Sequence, residues 1–188
     1  MLTVRKLTPE LMERLRPISD ASLAGEEVML RIGRSGFTLG YVPLPRAEWR
    51  SFPMVSRAEP ARLLADPNAA ILLAFEDDTF VGQAAVASDG ETGWTEIIDI
   101  RVDAAHRRQG VAKALLNAIE SFSRKHDMRG LRITVTDTNP AACQFCEHCG
   151  FSLQGLDRHA LIYTEQERDK PLARRACQLH FYQQHQKG

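Results

Sequence analysis

Residues 97–116 read Ile97-Ile98-Asp99-Ile100-Arg101-Val102-Asp103-Ala104-Ala105-His106-Arg107-Arg108-Gln109-Gly110-Val111-Ala112-Lys113-Ala114-Leu115-Leu116. Two hydrophobic periods meet in this run. From Thr95 to Val102 the residues alternate, which predicts a strand with Ile98, Ile100 and Val102 on one face and Ile97, Asp99 and Arg101 on the other. Apolar side chains on both faces place that strand centrally in a sheet. From Gly110 to Lys125 the period becomes helical, with Val111, Ala114, Leu115, Ala118 and Phe122 on one side and Lys113, Asn117 and Arg124 opposite.

The polar turn between the two elements is the chemically suggestive part. A helix N-terminus presents unpaired N–H groups and a partial positive charge, so anions dock there. Gly110 lacks a Cβ and lets a ligand approach the backbone; Ala112 is nearly as small. Arg107 and Arg108 add charge-assisted donors. A pyrophosphate cradle is one reading, and a solvated basic turn is the other. Neither GxGxxG nor GxxxxGK[ST] occurs in the chain, so this is no dinucleotide fingerprint and no P-loop.

Outward from this centre, Leu2–Leu7 alternates as a first strand, and Thr8-Pro9 opens a helix running through Leu15. Residues 20–65 are interrupted by Gly25, Gly33, Gly36, Gly40, Pro43, Pro45, Pro53 and Pro60. Only a short strand at Phe37–Val42 and a helix at Glu59–Leu64 are expected there. Ala70–Phe75 and Phe80–Ala87 read as antiparallel strands joined by Glu76-Asp77-Asp78. After the long helix, Leu131–Val135 is a strand, and Asn139-Pro140 looks like an N-cap with proline at the first helical position. That helix should stop at Gly150, and Phe151–Tyr163 and Ala176–Tyr182 are the last strand candidates. The expected class is α/β (α+β): a single domain over residues 1–188 with a mixed, mostly antiparallel sheet flanked by helices.

The whole chain narrows the function classes. Its 188 residues suit one domain, and 24 basic residues balance 24 acidic ones. Zero formal charge gives no global reason to expect nucleic acid or an anionic membrane as partner. No apolar run approaches the roughly 20 residues needed to span a bilayer, and the N-terminus has no signal-like stretch. A cytoplasmic location is the default expectation. Cys143, Cys146 and Cys149 lie within seven residues and only Cys177 lies elsewhere, which suggests reduced thiols. A metal site there is disfavoured, because residues three apart on a helix turn by about 300° and Cys143 and Cys149 diverge by about 120°.

The run Arg107-Arg108-Gln109-Gly110-Val111-Ala112 resembles the [QR]-x-x-G-x-[GA] signature of the Gcn5-related N-acetyltransferases. At the expected separation, Asn139–Phe151 resembles the family's N-x-x-A-x-x-[FL]-Y-x-x-x-G-F segment. The resemblance covers about residues 95–152. Within the family, Asp137–Phe151 with Cys143 and Cys149 looks most like streptothricin acetyltransferases, and residues 20–65 are the variable, substrate-facing part.

The resemblance implies acetyl-CoA as cosubstrate, no metal, and transfer of the acetyl group to a primary amine. Backbone groups of Ile100, Arg101 and Val102 would pair with the pantetheine arm. Arg107, Arg108, Gln109, Gly110, Val111 and Ala112 would hold the pyrophosphate. Asn139 sits where the family contacts the cofactor arm, or is simply a helix N-cap, or both. Cys146 stands where the family has a tyrosine that protonates the leaving thiolate. A thiol has a reference pKa near 8.5 and could donate; the plainer reading is that Cys146 packs and water donates.

An amine nucleophile must lose a proton, and a nearby carboxylate can take it. Asp99, on a strand otherwise rich in isoleucine, is the first candidate and Glu96 the second; the alternative for Asp99 is a charge paired with Arg101. Tyr41, Trp49 and Phe52 are candidate pocket walls, and Asp20, Glu26 and Glu27 candidate attractors of a cationic amine or plain surface residues. The leading expectation is a small-molecule amine acetyltransferase with a streptothricin-like or polyamine-like acceptor. Its rivals are a protein N-terminal or lysine acetyltransferase and a non-catalytic acyl-CoA-binding module, the last motivated by the absent tyrosine. A homodimer is implied by resemblance alone.

Overall fold

The computed structural model describes residues 1–19, 21–34, 36–52, 59–160 and 176–186. By its internal contacts the chain divides into two compact units. The first comprises residues 1–20, 53–132 and 184–188, the second residues 21–52 and 133–183. The strands form a mixed, mostly antiparallel sheet. Among the described residues no helix is long and apolar enough to cross a membrane.

In the first unit, β1 (Leu2–Lys6) is followed by a 3-10 turn at Pro9–Arg14, then α1 (Pro60–Leu64), β4 (Ala69–Glu76), β5 (Thr79–Asp89), β6 (Trp94–Val102), α2 (Val111–Lys125) and the start of β7 (Gly130–Thr136). The strands β2 (Ala21–Gly33) and β3 (Gly36–Ser51) belong to the second unit. The helix expected through Leu15 is this short 3-10 turn, which Pro9 opens and Arg14 closes. The strand order here is β1-β4-β5-β6-β7. β4 reads Ala-Ala-Ile-Leu-Leu-Ala-Phe-Glu and is buried along seven of its eight positions. It pairs with β1 on one side and β5 on the other, and both α1 and α2 pack on it, so its two faces are buried and its apolar run is continuous rather than alternating.

The register of β5 and β6 corrects the expected faces of the central strand. Ala85 pairs with Asp99 and Val86 with Ile97, so Ile98 is an extra residue, a bulge. Beyond a bulge the side-chain alternation changes phase. Ile97 therefore joins Ile100 and Val102, on the side covered by α2. Ile98 instead packs against the cluster of Leu7, Leu63, Ile71, Leu73, Phe75 and Ala85 on the other side. Glu96, which strict alternation sets opposite Asp99, comes to the same face as Asp99 and Arg101.

The helix α2 packs on β1, β4, β5 and β6. Leu115 and Ile119 are fully buried, each worth about 1.5–3 kcal/mol in area removed from water. Gly82 makes the close approach possible: a Cβ there would lie 3.0 Å from the Arg101 carbonyl oxygen and 3.0 Å from Val111 Cγ1.

The second unit holds β2 (Ala21–Gly33), β3 (Gly36–Ser51), the end of β7, α3 (Pro140–His148), β8 (Ser152–Asp157) and β9 (Gln178–Gln184). Its sheet order is β7-β9-β8, with β2 and β3 as a separate two-stranded sheet. Here the strand expected at Phe37–Val42 proves to be part of the much longer β3, paired with β2, while the helix expected at Glu59–Leu64 is α1 of the first unit. The glycines and prolines do not prevent strands; they shape one long hairpin. Gly33 and Gly36 flank its tip, and Gly36 takes a left-handed φ of 115°. The register jumps between Ala24 and Glu26, where Pro45 lies among the unpaired residues of β3. In a two-stranded sheet every strand is an edge strand, so missing proline N–H groups are tolerated.

α3 packs on β2, and β3 on β8. The Asn139 side chain accepts a bond from the Ala142 N–H at 3.1 Å, Pro140 opens the helix, and Gly150 follows it with φ 82°. The last strands are displaced from expectation. β8 ends at Asp157, and β9 runs two residues later than Ala176–Tyr182. Arg158–Ala160 form a bend and turn rather than strand, and the rest of the expected continuation to Tyr163 lies outside the described residues.

Candidate active site

The first unit assembles the turn and the carboxylates. β6 ends at Val102, and Asp103 then holds a single 3-10 turn at Ala104–His106. Its carboxylate accepts from the Ala105 N–H at 3.1 Å and lies 2.7 Å from His106 Nδ1. The His106 bond, with help from the backbone N–H groups, holds the Asp103 carboxyl below its ordinary pKa. Arg107 Nε donates to the Val102 carbonyl at 3.2 Å, and Gln109 Nε2 to the Ala105 carbonyl at 2.9 Å. These bonds tie the turn back onto the strand end.

Two left-handed residues then follow, Arg108 at φ 64° and Gly110 at φ 87°. Turns of this kind line up successive N–H groups around a concave anion site. Gly110 is the N-cap of α2, and a Cβ there would meet no atom within 4 Å. The 15-residue helix thus begins at an open approach. Val111 anchors its first turn in the core, while Arg107, Arg108, Gln109 and Gly110 are exposed.

Asp99 and Arg101 stand two residues apart on one face of β6. Arg101 Nε reaches both carboxylate oxygens, at 2.8 and 2.9 Å, and the side chains are only 11% and 14% exposed. Gln83, directly across from Arg101 on β5, also bonds to the carboxylate. Burial raises the Asp99 carboxyl above its ordinary pKa, against the opposing pull of Arg101 and Gln83. Glu96 pairs with Arg132 on β7 at 3.1 Å. The first unit therefore holds the cradle residues and both candidate carboxylates, each carboxylate already engaged by an arginine. Sequence reading missed Gln83 and Arg132, since only strand register shows which residue lies opposite which.

In the second unit, Asn139 is an N-cap in fact. Cys143 and Cys146 are fully buried. Burial, reinforced by neighbouring acidic groups, pushes the Cys143 thiol up to about 12 and the Cys146 thiol in the same direction. Tyr41, on the α3-facing side of the hairpin, donates to Glu147 Oε2 at 2.5 Å, and Gln144 Nε2 donates to Glu26 Oε2 at 2.7 Å. Burial and the Glu147 carboxylate raise the Tyr41 phenol far above its usual value. Trp49 is 74% exposed beside Leu23, and Glu27 is exposed, so neither is enclosed in a pocket wall of this unit. Phe52 is partly buried; Asp20 lies outside the described residues.

A streptothricin acetyltransferase of Escherichia coli is 29% identical over 96 residues, 50% of this chain and 53% of that protein; the chain thus matches about half the length of this curated relative. A Bacillus anthracis protein provisionally named a streptothricin acetyltransferase, solved in complex with acetyl coenzyme A, superposes with a TM-score of 0.82 at 21% identity, covering 99% of this chain and 98% of that one. A nourseothricin acetyltransferase superposes at 0.78 with 23% identity, covering 97% and 98%. These two likenesses establish the fold. The sequence model of the acetyltransferase (GNAT) family matches residues 41–151, from the middle of β3 through α3. Spanning the cradle, the carboxylate strand and the Asn139 helix, that match shows that the chain belongs to the acetyltransferase (GNAT) family.

Proposed function

We propose that the protein is an acetyl-CoA-dependent N-acetyltransferase acting on a primary amine of a small molecule, streptothricin-like or polyamine-like. The observation that carries this reading is the adjacency within residues 96–112. One strand bears Glu96 and Asp99 on a single face and runs directly into a helix N-terminus left open at Gly110. A carboxylate that can take a proton from an amine is thus covalently tied to a site for the diphosphate of the acyl carrier.

When bound, acetyl-CoA supplies the acetyl group as a thioester. The chain supplies the rest. Backbone N–H groups from Arg108 to Ala112, together with the helix dipole and the Arg107 and Arg108 guanidinium groups, hold the pyrophosphate. Backbone groups of Ile100, Arg101 and Val102 position the pantetheine arm, and Asn139 caps α3. Asp99 orients the amine and accepts its proton, directly or through one water, with Glu96 as the second carboxylate. In this reading the whole chain works as one acetyltransferase domain.

The test is release of CoA thiol with a panel of polyamines, aminoglycosides, streptothricin and peptides. Turnover with streptothricin or a polyamine is expected. Acetylation confined to peptides would transfer the same chemistry to a protein substrate, and binding of acetyl-CoA without turnover on any acceptor would leave a carrier module.

Cys146 is not the proton donor in this mechanism. A buried thiol in apolar surroundings has a raised pKa and low reactivity, and that is where Cys146 lies. Cys146→Ala should keep single-turnover acetylation within about tenfold of the parent, or ~1.4 kcal/mol in the barrier. A folded variant that binds acetyl-CoA normally yet loses a thousandfold would restore Cys146 as the acid.

A further inference from the structure

We infer that Arg101 and Gln83 are positioning residues that hold the Asp99 carboxylate ionised and oriented on the face of β6, and so set the pH at which it becomes a base. The inference rests on the proposed role of Asp99 and adds what controls it.

The geometry supplies the argument. Arg101 is two residues beyond Asp99 on the same face, and its Nε spans both carboxylate oxygens at 2.8 and 2.9 Å. Gln83 reaches the same carboxylate from β5, directly opposite Arg101. Three side chains on two strands thus form a fixed cluster. The Ile98 bulge decides the phase, because without it Asp99 would keep Arg101 but lose the face it shares with Glu96.

Both arginine and carboxylate are mostly removed from water, where a charge without a partner is strongly disfavoured. Left to burial alone, Asp99 would stay protonated to higher pH and accept no proton from an amine. Opposite charge within hydrogen-bond distance favours the ionised form by about 1–3 pH units. Arg101 therefore keeps a buried carboxylate usable as a base, while burial keeps it more basic than a surface aspartate.

Other charges on the elements covering this face are committed elsewhere or exposed. Glu96 is paired with Arg132, and Arg14 of the 3-10 turn bonds to the Asp78 carbonyl. Arg62 of α1 and Glu10 and Glu13 of the 3-10 turn are exposed to solvent. The nearest charge able to set the Asp99 titration is Arg101.

The experiment titrates Asp99 directly in the full chain, by carbon-13 NMR of carboxyl-labelled aspartate, with the Asp99 resonance assigned from Asp99→Asn. It is paired with single-turnover rates across pH at saturating acetyl-CoA and streptothricin. Arg101→Gln should move the Asp99 midpoint upward by about 1–3 pH units. Arg101→Lys should move it less, because it keeps the charge and loses the fork. Gln83→Met should give a smaller upward shift and serves as the second probe if Arg101→Gln does not fold. The acidic limb of the rate should follow each midpoint, and the rate deficit should narrow at high pH, which a purely structural defect would not do. A midpoint unmoved in folded Arg101→Gln, or in Gln83→Met where only that variant folds, overturns the inference. A midpoint that moves while the rate limb stays put supports the electrostatic clamp and removes Asp99 as the base.

Discussion

Gly110→Glu abolishes acetyl-CoA binding while the protein stays folded. The glycine occupies a left-handed conformation at φ 87°, and its absent Cβ would meet nothing within 4 Å. A Cβ there therefore clashes with none of the described residues. Its cost is backbone strain of roughly 1–2 kcal/mol, the ordinary penalty for a left-handed L-residue. Arg108, two residues earlier, already adopts φ 64°, so the turn tolerates such a residue. A carboxylate at the N-terminus of α2 even offsets part of the strain by interacting with the helix dipole.

The same carboxylate fills the opening and repels a diphosphate. Titration calorimetry should find no measurable acetyl-CoA binding, with circular dichroism and a thermal melt close to the parent. Gly110→Ala separates the two contributions. It carries the strain without charge or length and should weaken binding far less. Normal affinity in a folded Gly110→Glu variant would remove the cradle from this turn.

Asp99→Asn should lower turnover by the ~10²–10⁴-fold typical of a lost general base, with little change in acetyl-CoA affinity. Asparagine keeps an oxygen for Arg101 Nε, so the pair loses charge but not its hydrogen bond. The pH dependence carries the sharper signature. Burial raises the Asp99 carboxyl above its ordinary pKa. The parent should therefore lose activity as pH falls through that raised value, where the base becomes protonated. The asparagine variant should lack this limb.

Stability follows the opposite direction. A carboxyl whose pKa is raised on folding favours the native state most below its unfolded pKa. That advantage fades as pH rises through the raised folded value. Thermal melts across this acidic window should show the dependence in the parent and not in Asp99→Asn. Turnover near the parent level across pH would hand the proton to Glu96 or water.

Much of this was legible from residue order because the features are local. The N-cap of α3 at Asn139, the proline that opens it and the glycine that follows it are set by backbone chemistry within a dozen residues. The strand–turn–helix at residues 94–125 announces itself by a change of hydrophobic period, and the turn between by its arginines and glycine. The hairpin at residues 21–51 was hidden for a local reason as well. Of the glycines and prolines that normally interrupt strands, Gly33 and Gly36 fall at its tip and Gly25 and Pro45 at the register jump, while Gly40 and Pro43 are accommodated within the paired region of a two-stranded sheet.

Residue order by itself determined the turn into α2 at Arg107–Ala112, the central strand carrying Asp99, and the helix after Asn139, since each depends on contacts between neighbours in the chain. Tertiary structure alone decided what those residues face. Ile98 became the bulged residue only in register with Ala85 and Val86, and that shift set Glu96 beside Asp99 on one face. Gln83 and Arg132 reached the two carboxylates from β5 and β7, and burial rather than sequence spacing raised the Asp99 carboxyl. Cross-strand register and solvent exclusion arise from pairing between distant segments, so no single segment encodes them.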